Sequence, residues 1–256
     1  MAVAGRPFRV LLVSGGVLLS SLVLAGCGSA DADAAPVERK SFAFDGAALT
    51  IDSDDSELVI TPADIDEVRV ERQVDGWAFM GSGPEPTWTL TDGRLTLRVG
   101  CAGVTSNCDA VHRIQVPRKV AVTVQDDNGG VTAEGFTTPL KVRSDNGDVR
   151  VRKPAGPLDL FTDNGDVVVD SGATAPEVVA RSDNGNVRIA LGAVPRRVDL
   201  FTDNGDITLS LPTADYEVTG ASDNGDVRID VPRRDGSGHS VSARSDNGDV
   251  SVLTAN

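Results

Sequence analysis

The triplet Asp-Asn-Gly recurs seven times in the second half of the chain, centred on Asn128, Asn146, Asn164, Asn184, Asn204, Asn224 and Asn247, at spacings of 18, 18, 20, 20, 20 and 23 residues. One turn repeated at so short a period restricts the chain to a stacked repeat architecture, because no single copy can bury its apolar face alone. The flanking residues share one pattern. Leu140, Leu158, Val178, Val198, Val218 and Val241 precede the turns, and pairs such as Val149 and Val151, Val167 and Val169, Val187 and Ile189, or Ile207 and Leu209 follow them. Strict alternation of this kind predicts short strands with one buried face.

Asn-Gly is also the strongest hairpin signal, so a meander of antiparallel hairpins is the competing arrangement. It would set Ser144-Asp145 across a tight tip from Asp148, with carboxylates side by side at every turn, and like charges directly opposite are unfavourable. In a solenoid the turn is a corner, with Asn or Gly in the left-handed conformation that they tolerate best. Copies then stack about 4.8 Å apart, and identical asparagines can hydrogen-bond along the column. The stacked aspartates repel by roughly 0.9 kcal/mol per pair in water.

Two further registers favour the solenoid. With Leu140, Val142 and Ser144 inward, Arg143 points outward, and the matching outward residues are Phe161, Arg181, Phe201, Ala221 and Arg244, an alternation of Arg and Phe open to cation–π contact. Duplication of a 40-residue unit would produce the same alternation. Length variation is confined to Pro- and Gly-rich inserts such as 154–157, 171–176, 192–195, 212–215 and 232–238, which form a second, tolerant corner. The expected fold is therefore an all-β, single-domain parallel β-helix or β-solenoid with coils of about 20 residues. Regular repeats span 121–253.

Upstream the copies are degenerate. Leu49 and Ile51, then Asp54-Asp55-Ser56, then Leu58 and Ile60 outline an irregular coil, and Asp92-Gly93 between Leu90 and Leu95 reads as a hairpin. Gly76 to Trp88 holds both tryptophans with Phe79 and Met80, and reads as a cap over the open core, with a sugar-binding aromatic loop as the alternative.

The N-terminus reads as a processing signal. Arg6 and Arg9 precede an apolar stretch from Val10 to Leu24 that is broken by Gly and Ser, which suits a cleaved leader over 1–26 better than a spanning helix. Leu24-Ala25-Gly26-Cys27 resembles the lipobox of bacterial lipoproteins. That resemblance implies cleavage before Cys27, lipid attachment on its sulfur, a membrane anchor and extracytoplasmic localisation. Residues 27–41 read as a lipidated flexible tether and 42–253 as the folded domain. In an exported chain, Cys101 and Cys108 are expected to pair as a disulfide. Zinc is the poorer reading, since His112 is the one further ligand nearby.

A net charge of -14, or about -16 once Arg6 and Arg9 are removed, argues against nucleic acid and against a basic membrane-binding patch. It favours cations. Asp145 with Asp148, Asp163 with Asp166, Asp203 with Asp206, Asp223 with Asp226 and Asp246 with Asp249 form columns that could take weak calcium, although no EF-hand or nine-residue calcium repeat is present and Asn186 interrupts them. Arg196-Arg197 and Arg233-Arg234, at the variable corner with Lys153, read as solvated charge balance, with weak contact to wall polyanions as the other reading.

The Asp-Asn-Gly-Asp repeat followed by Val-x-Val, the lipobox, and Cys101 and Cys108 ahead of Ile114-Gln115-Val116-Pro117 resemble the bacterial DUF4097 family of candidate adhesins, from about Phe42 to Leu253. The resemblance implies a β-helix-like domain at the cell surface with no catalytic residues to carry over and no cofactor. The expected function is a non-catalytic, adhesin-like module or structural spacer, with an envelope protein or polysaccharide as partner. A calcium-stabilised binding protein is the alternative. A polysaccharide-acting β-helix enzyme fits less well, because only His112 and His239 are available as histidine bases and the acids are spread evenly rather than clustered.

Overall fold

The computed structural model describes residues 30–255. The leader and Cys27 lie outside the described residues. Each regular coil contributes one strand to each of two facing sheets: β8 Ala121–Asn128 and β9 Val131–Glu134, β10 Leu140–Asn146 and β11 Val149–Arg152, β12 Leu158–Asn164 and β13 Val167–Ala173, β14 Glu177–Asn184 and β15 Val187–Leu191, β16 Arg197–Asn204 and β17 Ile207–Leu211. Two more coils follow, β18 Glu217–Asn224 with β19 Val227–Asp230, and β20 Ser240–Asn247 with β21 Val250–Thr254. Pairing between coils is parallel. Ser144 lies beside Thr162, not across a hairpin tip, and Asn146 lies beside Asn164.

Alternation makes the core. Leu140, Val142, Val149 and Val151 are each at most 1% exposed, and their counterparts in neighbouring coils stack directly above and below them. Burying such a side chain stabilises the fold by about 1.5–3 kcal/mol, and the two sheets share these residues as one continuous apolar core.

The corner geometry differs from the expectation. No Asn of the repeat takes a positive φ; the glycine does in four of the seven copies, Gly129, Gly165, Gly205 and Gly248, at +146° to +159°, at the extended edge of that region rather than in the left-handed helical well. Stacking is what requires glycine. A Cβ on Gly147 would sit 1.8 Å from the Gly129 carbonyl oxygen, far inside contact distance.

Stack order departs from chain order at the C-terminal end. The last coil, β20–β21, is inserted between β16–β17 and β18–β19, so that Phe201 neighbours Arg244 and Arg244 neighbours Ala221. Side-chain quality explains the exchange. The inserted coil offers Val241, Ala243, Val250 and Val252, all at most 2% exposed, whereas the outer coil carries Gly220 at the central inward position and leaves Val227 43% exposed. The better apolar set is buried and the poorer one forms the end.

The N-terminal end repeats the device with reversed strands. β2 Ala48–Asp55 and β3 Glu57–Ala63 form the degenerate coil, stacked on β8 and β9. β6 Arg94–Ala102 and β7 Thr105–Pro117 form the next coil outward, parallel to it. β4 Glu67–Phe79 and β5 Ser82–Thr91 run antiparallel to that coil as the cap, joined to β6 by the Asp92-Gly93 hairpin, and β1 Glu38–Ala43 covers β4. The segment from Gly76 to Trp88 is therefore part of this cap. The expected tether through residue 41 is shorter than the sequence suggested, because Ala32 is fully buried and β1 begins at Glu38.

Candidate interaction surface

Three columns of polar residues run the length of the stack at the Asp-Asn-Gly corner. In the first, each Asn amide donates to the Oδ1 of the Asn in the adjacent coil, at 3.0–3.2 Å through Asn128, Asn146, Asn164, Asn184, Asn204, Asn247 and Asn224. Asn128 in turn donates to Asp55 of the degenerate coil at 2.9 Å. In the second, Asp148, Asp166, Asp206 and Asp249 each accept the backbone N–H of the counterpart in the next coil, as Asp148 does from Asp166 at 2.8 Å and Asp206 from Asp249 at 2.9 Å. Asn186 fills the same role with its amide oxygen, accepting from Asp206 at 2.9 Å, so the column needs an oxygen acceptor rather than a charge. Among the described residues no group of three His, Cys, Asp or Glu side chains is placed to hold a metal ion.

The third column is buried. Thr162, Ser182, Thr202, Ser245 and Ser222 each donate a hydroxyl to the glycine carbonyl of the neighbouring coil, at 2.8–2.9 Å. Asp126 occupies this column between Ser53 and Ser144, 2% exposed, and neither carboxylate oxygen nor the Ser144 hydroxyl has a partner. Burial pushes the Asp126 carboxyl up to about 7; Ser53 eases it, while Asp127, Asp54 and Asp55 raise it further. Ser53 spends its 2.8 Å hydrogen bond on Ser56. The signal was present in the sequence, since this copy reads Asp126-Asp127-Asn128 where the others have Ser or Thr before Asp-Asn. His112 is fully buried, with both ring nitrogens unpartnered, and desolvation followed by the nearby Arg72 charge lowers it to about 4. Both groups are sealed in the core.

The outer face of the ten-stranded sheet carries the Arg and Phe stripe. Register places Arg143, Phe161, Arg181, Phe201 and Arg244 in consecutive coils, and the exchanged coil order extends the alternation to five. Arg143 lies 5.6 Å from the Phe161 ring centroid and chelates Asp159 with two 2.9 Å bonds. Asp159 and Asp199 accompany Phe161 and Phe201 at every second coil, about 9.6 Å apart by the usual strand spacing. Among the described residues Arg181, between the two rings, forms no ion pair, whereas Arg244 pairs with Asp223 and Asp246.

Cys101 and Cys108 form a disulfide with Cα atoms 6.3 Å apart, at the far end of β6 and β7. The second tryptophan has a structural role: the Arg72 guanidinium lies 3.9 Å over the Trp88 ring while bonding Glu38 and the Pro86 carbonyl.

The sequence pattern of the family described as Toastrack DUF4097 matches residues 114–253, more than half of the chain. The chain belongs to the Toastrack DUF4097 family. A crystal structure of a candidate adhesin from Bacteroides fragilis shares the fold at 15% identity, covering 86% of this chain and 97% of that one with a TM-score of 0.55. A candidate adhesin from Parabacteroides merdae aligns over 86% of this chain and 96% of its own at 12% identity and a TM-score of 0.46. Among curated proteins none matches. Membership in this family accords with the all-β solenoid of stacked parallel coils seen here.

Proposed function

We propose that this Toastrack protein is a lipid-anchored, non-catalytic surface module that binds an extended envelope or extracellular polymer in an adhesin-like manner. The observation that carries this reading is the two-coil repeat on the ten-stranded sheet, where Asp159 with Phe161 and Asp199 with Phe201 flank the unpaired Arg181. A flat ring beside a hydrogen-bonding carboxylate and a free guanidinium suits a polymer of stacked, hydroxylated units laid along the rod, and stacked coils present such groups at regular intervals. Adhesin descriptions of structural relatives support the surface role, and the lipobox supports the anchor at Cys27. Non-catalytic action is supported by the burial of His112 and Asp126.

The test is crosslinking in intact cells, with wild type, Cys27→Ala and a Phe161→Ser, Phe201→Ser double variant compared for what is captured. Polysaccharide or protein captured by wild type and lost in the double variant supports the reading. Equal capture by both, with a normally folded variant, removes the stripe as the binding surface.

A further inference from the structure

The flap that carries the disulfide has a chemistry unlike the rest of the chain. Where the degenerate coil turns its corner with residues 54–56, the next coil inserts 98–110, and the cap strands follow it outward, with Gly76 paired to Cys108 and Phe79 to Thr105. The flap thus extends about 15 Å past the Asp-Asn-Gly corner at ordinary strand rise. In a chain with 24% charged residues, neither Gly76–Pro84 nor Val99–Cys108 contains a single Asp, Glu, Lys or Arg. At its end Phe79, Met80 and Val104 are 59%, 76% and 74% exposed, the three most exposed large hydrophobic side chains among the described residues. They are held together: the Val104 N–H donates to the Phe79 carbonyl at 2.9 Å, and the Cys101 to Cys108 bond ties the two strands beneath.

The N-terminal segment leads to this tip. β1 runs antiparallel to β4, so that passing backward from Ala43 to Glu38 follows β4 outward from Glu67 to Arg72. The path continues in the same direction, with Gln73 donating to the carbonyls of Asp33 and Ala35, Asp75 accepting the Asp31 N–H at 2.9 Å and Asp109 accepting the Ala32 N–H at 2.9 Å. Asp75 is four strand residues from Phe79, about 13 Å. Cys27 is four residues from Asp31, a reach of at most about 14 Å.

We infer that the flap is a membrane-seating tip: Phe79, Met80 and Val104 enter the interfacial layer of the same bilayer that holds the lipid on Cys27. The inference rests on the lipobox reading. A lone lipid anchor would leave an acidic rod to be pushed off an anionic leaflet in every orientation. An uncharged apolar tip beside the anchor gives a second attachment, and two attachments set a pose where one does not. Because the tip stands farther out than the carboxylate row by more than the Debye length of about 8 Å at physiological salt, insertion leaves that row screened from the lipid charge.

The test uses the full chain expressed in its own membrane and, in parallel, reconstituted in phosphatidylglycerol–phosphatidylethanolamine vesicles containing nitroxide-labelled lipid, with an environment-sensitive dye on a Met80→Cys variant. Membrane fractionation reads the anchor and dye emission reads the flap. Blue-shifted emission quenched by the nitroxide lipid is expected, and quenching should fall at least threefold in a Phe79→Ser, Val104→Ser background, where both positions are exposed and folding is preserved. Water-like emission from membrane-bound protein overturns the inference, as does a blue shift that lipid nitroxide does not quench, which would place the tip against protein. Recovery of the wild-type chain in the soluble fraction overturns the anchor and the inference with it.

Discussion

Replacing Asp126 by Ser restores the hydroxyl that stands at this place in the six coils beyond it, and its effect should depend on pH in a way that isolates the buried carboxyl. A carboxyl held protonated to about 7 in the fold but ionising near 3.8 when unfolded binds its proton more tightly in the native state, so the stability it contributes is fully present below 3.8 and is lost as pH rises toward 7. The displacement corresponds to about 4 kcal/mol at about 1.4 kcal/mol per pH unit. His112 acts oppositely. Its native value of about 4, against 6.5 unfolded, makes stability rise from pH 4 to pH 6.5, so the two groups offset each other and the wild type should be nearly flat over that interval. The difference between Asp126→Ser and wild type carries the Asp126 contribution alone. It should be within about 1 kcal/mol at pH 4, where the carboxyl is neutral in the fold and only about half ionised when unfolded and a single hydrogen bond is exchanged, and approach about 4 kcal/mol in favour of the variant at pH 8. Urea unfolding of both proteins at each pH, with unchanged slopes, measures this. A stability difference that stays constant from pH 4 to pH 8 refutes the burial argument.

Gly147→Ala should destabilise the rod by about 3 kcal/mol or more, because the new Cβ meets backbone that cannot yield, while Gly238→Ala, with open space around it, should stay within about 0.5 kcal/mol; thermal melts of the pair check both. Asn184→Ala removes a donor and an acceptor from the middle of the amide ladder and should cost about 1 kcal/mol in the same assay, and Asn184→Asp should cost more, since it sets a fourth carboxylate beside the row in which Asp183 is already raised by desolvation and by Asp203 and Asp163. Cys101→Ser with Cys108→Ser releases a short loop worth about 2–3 kcal/mol locally; protease should then cut within 98–110 first, with the melting midpoint of the coils unchanged. Salt should matter little to the core and more to Arg188 with Asp166, an ion pair at the surface whose Arg188→Ala variant should lose no more than about 1 kcal/mol.

Much of the architecture was legible because stacking imposes identical demands on every copy. Asn146 and Asn164 must be the same residue if each is to donate to and accept from its neighbour, and Gly147 must lack a side chain if the next coil is to approach, so the corner repeats letter for letter. The disulfide segment and the Asp92-Gly93 hairpin were readable from short-range signals of the same kind. Exposed surface follows weaker rules. The tip formed by Phe79, Met80 and Val104 joins residues from two separate loops, and nothing local in either loop announces that they meet. The ordered stretch from Ala32 to Ala43 was also hidden, because its small polar residues have no periodicity of their own and are held by Asp75, Gln73, Asp109 and Arg113 from β4 and β7.

Taken alone, the chain of residues determined the unit: a strand, an Asp-Asn-Gly corner, a second strand and a tolerant return, with valine, leucine and isoleucine facing in. It did so because alternation and turn chemistry act between residues close together along the backbone. The order of the units was decided only by tertiary packing. Every coil offers its neighbours the same ladder of amides and peptide groups, so hydrogen bonding does not distinguish the sixth copy from the seventh, and the coil with Val241, Ala243, Val250 and Val252 is drawn inside while the coil with Gly220 is left at the end. That exchange, settled by the apolar area each coil has to bury, is also what brings Arg244 beside Phe201 and completes the stripe.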